Sequence, residues 1–275
     1  MRIDAHQHFW KYDPVRDDWI DDSMEVIRRD FMPQDLLPIL LNNNIDGCVA
    51  VQADQSEAET LFLIDLSKEF SFIKGVVGWI DLCSENVEER LDYFSNDSIF
   101  KGVRHIAQSE LDDYLTRKDV QTGISSVGQK NMTYDILIYQ HQLTSAIELV
   151  RALPNQLFVL DHLAKPMISS TMDKAWSSRI RELALSPNVY CKVSGMVTET
   201  TDDRWKKDDF IPYLDVVFNA FGVDRIMYGS DWPVCLLAAD YQLQLTITQD
   251  YISSLTENEQ AKVMGRNASI FYNLG

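Results

Sequence analysis

His6 and His8 stand two residues apart in the opening stretch Asp4-Ala5-His6-Gln7-His8. On an extended strand side chains alternate, so Asp4, His6 and His8 are expected on one face. Two imidazoles so placed can chelate one metal ion or polarise one substrate oxygen, although the pattern by itself also describes two unrelated surface histidines. Far along the chain, Asp231 follows the apolar run Ile226-Met227-Tyr228, inside Gly229-Ser230-Asp231-Trp232-Pro233-Val234. An isolated aspartate there is a turn former or a helix cap. Beside a second polar cluster it becomes a candidate base.

Short apolar or β-branched runs at 2–9, 47–52, 73–80, 101–106, 133–139, 158–162, 189–194 and 225–230 must position these residues. Helical patterns fall at 61–70, 87–94, 143–153, 176–185 and 210–221. Strands alternating with helices imply a parallel sheet with right-handed crossovers. Eight such units predict an α/β chain folded as one (β/α)8 TIM barrel over residues 1–275. An open doubly wound sheet is the alternative, weakened because no Gly-x-Gly-x-x-Gly turn follows any strand. The long connections 10–32 and 107–132, the second with a short helix, follow strands one and four. Both therefore belong on the C-terminal face, where barrel enzymes keep their sites. Near the end of the chain, Thr256 and Glu259 form a capping-box pattern.

Read only at their C-terminal ends, the strands offer His6 and His8, Gln52, Arg104 with His105, Tyr139, His162, Ser194 and Asp231. Four of the five histidines sit at these ends, which a random scatter would rarely produce. His141 is the exception and reads as a loop or helix-start residue. The eighth strand of a closed barrel neighbours the first, so the Asp231 carboxylate is expected to face His6 and His8. Gly229 and Ser230 permit a tight exit, Pro233 stops an immediate helix, and Trp232 is expected to wall off water and raise the basicity of Asp231. Lys165 and Arg104 supply a local positive field. Lys192, on the face of Ser194, is expected to pair with Asp4 inside the barrel.

A net charge of −17 argues against nucleic-acid partners, which need a basic surface. Cys48, Cys83, Cys191 and Cys235 form no CxxC pair, so a cysteine zinc site is not expected. The N-terminus has no segment fit for a signal peptide and no apolar stretch is long enough for a membrane span, which predicts a cytoplasmic protein. No pattern specifies an oligomeric state.

With these residues in place, the sequence resembles the amidohydrolase-superfamily lactonases that act on sugar-derived lactones, the L-fuconolactonases and L-rhamnonolactonases among them. The likeness rests on Ile3-Asp4-Ala5-His6-Gln7-His8-Phe9-Trp10, Lys101-Gly102-Val103-Arg104-His105, Tyr134-Asp135-Ile136-Leu137-Ile138-Tyr139, Asp161-His162-Leu163-Ala164-Lys165-Pro166, Cys191-Lys192-Val193-Ser194-Gly195 and Gly229-Ser230-Asp231-Trp232-Pro233-Val234. It spans nearly the whole chain, in family order. The resemblance implies a barrel that opens the cyclic ester of a sugar acid to the aldonate. Asp231 would be the general base, and His6, His8 and His162 would orient the carbonyl or hold a metal. Arg104, His105 and Lys165, with Gln52, Tyr139 and Trp232, would form the substrate site. Two-metal members of the superfamily use a bridging carboxylated lysine or glutamate and two further histidines; here Tyr139 and Ser194 stand at strand ends five and seven and only His162 is left beyond the His6–His8 pair, so a binuclear centre is not expected. One zinc-like divalent cation on His6, His8 and Asp231 is chemically sound. Polarisation by histidine and arginine alone also serves an ester carbonyl, and both readings stay open. The rivals are a metal-dependent decarboxylase of the same superfamily and a barrel that binds a sugar acid without turning it over.

Overall fold

A computed structural model describes residues 1–201 and 204–275. Eight strands, β1 (Ile3–Gln7), β2 (Gly47–Val51), β3 (Ile73–Gly78), β4 (Phe100–Ile106), β5 (Thr133–Leu137), β6 (Phe158–Leu160), β7 (Val189–Val193) and β8 (Ile226–Tyr228), form one sheet in chain order. Every neighbouring pair is parallel. The ends of the sheet meet just beyond β8, where Asp231 N donates to the His6 carbonyl at 2.8 Å and His8 N to the Trp232 carbonyl at 2.7 Å. The result is the expected (β/α)8 barrel.

Helices α1 (Pro33–Asn42), α2 (Glu57–Glu69), α3 (Val87–Ser95), α4 (Lys118–Gln129), α5 (Leu143–Ala152), α6 (Lys174–Leu183), α7 (Ile211–Phe221) and α8 (Tyr241–Ile252) follow the strands in turn. Short helices α9 (Glu257–Ala261) and α10 (Asn267–Phe271) end the chain, and Thr256 and Glu259 make the expected capping box. The main core lies between the strands and the outer helices. A smaller cluster, including Ile3, Val49, Val77, Val159 and Met227, joins several strands to Phe271 and Tyr272 near the end of the chain. Among the described residues no helix is long and apolar enough to cross a membrane.

One irregularity in β1 corrects two expectations. Asp4 pairs with Cys48 and Gln7 with Ala50, so β1 spends one more residue than β2 over this interval. Such a bulge breaks the alternation of faces. The Asp4 carboxylate consequently leaves the face of the His6 ring, keeping only a hydrogen bond from the His6 backbone N–H at 3.2 Å. Its carboxylate accepts from Ser230 N at 2.9 Å and from the Tyr241 hydroxyl, on α8, at 3.0 Å. Lys192 therefore does not pair with Asp4; its Nζ lies 2.6 Å from Asp135 Oδ2 and 3.0 Å from Asp161 Oδ1, all fully buried.

The β8–β1 seam tolerates no side chain at position 229. A Cβ on Gly229 would lie 2.6 Å from the Cβ of His6 and 3.2 Å from that of Ser194. Gly229→Ala is expected to cost about 1–3 kcal/mol through overpacking and to displace His6. A denaturation midpoint equal to that of the wild type would contradict this account of the seam.

Candidate active site

Three imidazoles converge on one oxygen. Asp231 Oδ1 lies 3.4 Å from His8 Nε2, 3.7 Å from His162 Nε2 and 3.8 Å from His6 Nε2. His6 and His8 come from β1 and the residue after it, His162 from the turn after β6, and Asp231 from the exit of β8. Each ring is held from behind. His8 Nδ1 donates to the Val51 carbonyl at 2.7 Å, and His162 Nδ1 is 2.8 Å from Ser194 Oγ. The Arg104 guanidinium enters from β4, with Nη1 3.2 Å from His6 Nε2 and 3.2 Å from Asp161 Oδ2. Gln52 anchors it, its Oε1 accepting from Arg104 Nη2 at 2.8 Å and from Nε at 3.2 Å, while its carbonyl accepts from Nη2 as well.

The chain reaches this arrangement through unusual backbone. His162, Leu163, Ala164 and Lys165 have φ of 52°, 56°, 61° and 47°, a complete left-handed turn made without glycine. Left-handed helical conformation costs L-residues roughly 1–2 kcal/mol each. The surroundings hold it: Lys165 N donates to the His162 carbonyl at 2.7 Å, and Trp176 Nε1 to the Leu163 carbonyl at 2.9 Å. Gly195 gives the ring room, since a Cβ there would lie 2.5 Å from His162 Nδ1. Asp231 is itself at φ 60°. Strain of this kind, concentrated on residues that share one cluster, marks a functional site.

A cavity of ≈ 410 Å³ opens over the cluster and is lined by His8, Arg104, His162, Lys165 and Asp231. The connection 10–32 contributes Trp10, Arg16, Asp17 and Trp19 to its wall, and Gln108 and Ser109 come from the connection 107–132. Lys165 Nζ stands 3.7 Å from Glu199 Oε1 and 5.6 Å from the centre of the Tyr139 ring.

Electrostatics set the protonation states. Burial pushes His8 and His6 below the ordinary imidazole range and His162 down to about 4, so all three rings are neutral at pH 7. Burial alone would raise Asp231, but in acid, where the rings take up protons, His162, His8 and His6 outweigh it and hold the carboxyl well below the usual carboxylate range. The expectation that Trp232 raises the basicity of Asp231 is therefore corrected. Trp232 lies in the core, with ring centres 5.2 Å from Phe31 and 6.2 Å from Phe9, and does not line the cavity.

His6, fully buried, lies beneath the cavity rather than in its wall, and three other anticipated substrate contacts also stand back from it. Alternation along β4 sends His105 away from Arg104, to stack on Tyr114 at 4.7 Å and to meet Glu110 at 3.0 Å through Nε2. Gln52 acts through Arg104. Tyr139, 37% exposed, sits behind Lys165. Conversely, Asp161, Asp135 and Lys192 form a buried charged layer behind the cluster. Asp161 went unassigned because strict alternation turns the neighbour of His162 the other way.

A closed parallel barrel with a histidine–aspartate cluster at its strand ends defines a class, and the chain belongs to the amidohydrolase family, whose sequence model matches residues 3–274. It is 34% identical over 281 residues to an L-fucono-1,5-lactonase of Burkholderia ambifaria, covering 100% of this chain and 96% of that protein. An L-fucono-1,5-lactonase of Burkholderia multivorans is 34% identical over 286 residues, with the same coverage. A crystal structure of an amidohydrolase from Burkholderia multivorans with bound zinc superposes with a TM-score of 0.96, at 35% sequence identity and 100% coverage of both chains.

The imidazole cluster makes stability depend on pH. The folded state keeps His162 neutral down to about pH 4, whereas an unfolded histidine takes a proton near 6.5. Between these values the unfolded chain binds more protons, so the contribution is complete above pH 6.5 and is lost as pH falls toward 4. In chelator-containing buffer the thermal midpoint of the wild type is expected to fall more steeply across that window than that of His162→Asn. Parallel curves would show that this ring does not couple to folding.

Proposed function

We propose that the chain hydrolyses the cyclic ester of a sugar acid, an aldonolactone of the L-fucono-1,5-lactone kind, to the open-chain aldonate, with Asp231 as the proton acceptor. The observation that carries this reading is the convergence of three neutral imidazoles on one carboxylate oxygen beside the cavity. Whole-length kinship with two proteins named for that lactonase activity supports the substrate class.

In this reading the lactone carbonyl oxygen turns toward Arg104, which lines the cavity, where negative charge developing in the transition state meets the fixed positive charge of the guanidinium. A water beside Asp231 attacks the carbonyl carbon as Asp231 accepts its proton. The ring C–O bond then breaks, and Asp231 returns the proton to the departing oxygen. Lys165 and Arg16 face the same cavity and are placed to meet the sugar hydroxyls.

The donor set also suits one divalent cation. His8 commits its Nδ1–H to the Val51 carbonyl, so its Nε2 lone pair faces the Asp231 carboxylate at 3.4 Å. Two acceptors confront each other there, and a bound cation relieves the repulsion. His6, His8 and Asp231 would be its ligands, and their candidate ligand atoms all lie within 4.8 Å of one another. When bound, such an ion polarises a carbonyl and acidifies water.

A pH-indicator assay against fresh L- and D-aldonolactones, run with chelator and with added zinc, tests this reading. Asp231→Asn is expected to lose about 10²–10⁴-fold in rate with an unchanged circular dichroism spectrum. Near-wild-type hydrolysis by that variant would remove Asp231 from the mechanism. Release of CO₂ from aromatic acids without lactone opening would favour a decarboxylase. Tight aldonate binding without turnover would favour a binding barrel.

A further inference from the structure

Among the described residues, Trp19 is the one exposed large apolar side chain that lines the cavity, at 42% exposure. That exposure does not come from slack in the connection. Two residues before it, Asp17 is buried and bonded twice to Arg16, from Nε to Oδ1 at 2.8 Å and from Nη2 to Oδ2 at 2.7 Å. Directly after it, Ile20 is buried in the core, and its N donates to the Asp17 carbonyl at 2.9 Å. From behind, the indole meets Trp10 edge to face, with ring centres 6.1 Å apart and planes at 84°. Trp10 stands in the same relation to Phe31 at 5.5 Å, and Phe31 to Trp232 at 5.2 Å. A continuous stack of four rings thus runs from the neighbour of Asp231 out to the cavity wall. Edge-to-face pairs have a preferred geometry, so Trp19 is placed relative to the reacting end.

A tryptophan offers an apolar body and one polar tip. Trp10 commits its tip, Nε1–H, to the Arg29 carbonyl at 2.9 Å. The Nε1–H of Trp19 has no acceptor among the described residues. Arg16, Asp18 and Asp54 line the same cavity and bring charged groups to the edge of this apolar wall. Asp54 Oδ2 accepts from Ser56 Oγ at 2.6 Å, while Oδ1 takes no hydrogen bond from the described residues. The ring of a sugar lactone carries hydroxyls at its rim and C–H bonds on its faces. An aromatic face is the negative side of the ring quadrupole. It suits C–H bonds and excludes a hydroxyl that projects from the same face.

We propose that Trp19 is a specificity-determining residue. Its indole covers one C–H face of the sugar ring while the carbonyl lies at the Asp231 end of the cavity, and it rejects epimers that turn a hydroxyl toward that face. This assignment rests on the lactone reading and names the part of the substrate that is sorted.

Hydrolysis of a panel of epimeric aldono-1,5-lactones by the wild type, Trp19→Ala and Trp19→Phe tests it, alongside calorimetric binding of the corresponding aldonates. Trp19→Ala is expected to raise KM for the preferred lactone about 10-fold, more than it lowers kcat. The ratio of kcat/KM between preferred and disfavoured epimers is expected to narrow by about the same factor. Trp19→Phe keeps a flat face and is expected to recover most of both. An unchanged epimer ratio in Trp19→Ala would overturn the proposal, whatever happens to KM. A wild type that opens none of the lactones would instead refute the lactone reading, and binding then decides. Aldonate held about 10-fold more weakly by Trp19→Ala supports the platform, and equal binding, or none, overturns it.

Discussion

Three of the buried carboxyl groups, on Asp135, Asp161 and Asp231, face the interior of this barrel, and nearly everything else at the site is arranged around them. An unpaired buried carboxylate costs several kcal/mol even after relaxation. Lys192 from β7 and Arg104 from β4 answer Asp135 and Asp161, while the three imidazoles surround Asp231. The partners come from different walls, so the pairing exists only while the barrel is closed. The backbone bonds that close it, from Asp231 to His6 and from His8 to Trp232, involve three residues of the cluster itself. Closure of the fold and assembly of the site are one event.

The same layer explains why the local structure departs from regularity where it does. A bulge in β1 releases Asp4 toward α8 and leaves His6 facing the charged interior. A left-handed turn after β6 delivers Asp161 and His162 together, and Asp231 leaves β8 at positive φ. Each departure is costly alone, and each is stabilised by the buried contacts it makes possible. A regular strand would have turned Asp161 and His162 to opposite faces; the turn after β6 brings both to the cluster, and together these ends supply a polar floor to a cavity whose walls come from the long connections.

Much of this was legible in the sequence because strand ends are read by period and position. All eight strands lie where the apolar runs place them; seven are shorter by one to three residues, and β4 begins one residue earlier than expected. Two helices left no readable pattern. α1 contains Pro38 in its interior, which argues against a helix, yet its apolar face is buried. α8, Tyr-Gln-Leu-Gln-Leu-Thr-Ile-Thr, alternates in the manner of a strand and is helical because Leu245, Ile247 and Thr248 find burial against the barrel. Packing overrides propensity in both. At the site, His6, His8, His162, Arg104, Lys165 and Asp231 come together as their strand-end positions imply. His105 does not, since it alternates with Arg104, and Trp232 is drawn into the core by Phe9 and Phe31. Asp161 and the partners of Lys192 were hidden by a bulge and a turn that no periodicity announces.

The central claim is that Asp231 and the imidazoles around it face the reacting carbon of a bound lactone. The most direct test is a crystal structure of Asp231→Asn soaked with L-fucono-1,5-lactone. Expected is the carbonyl oxygen turned toward Arg104, with the carbonyl carbon close enough for a water held by residue 231 to reach it at about 3–3.5 Å. A lactone seated with its carbonyl directed out of the cavity, and its hydroxyls against the histidines, would contradict it.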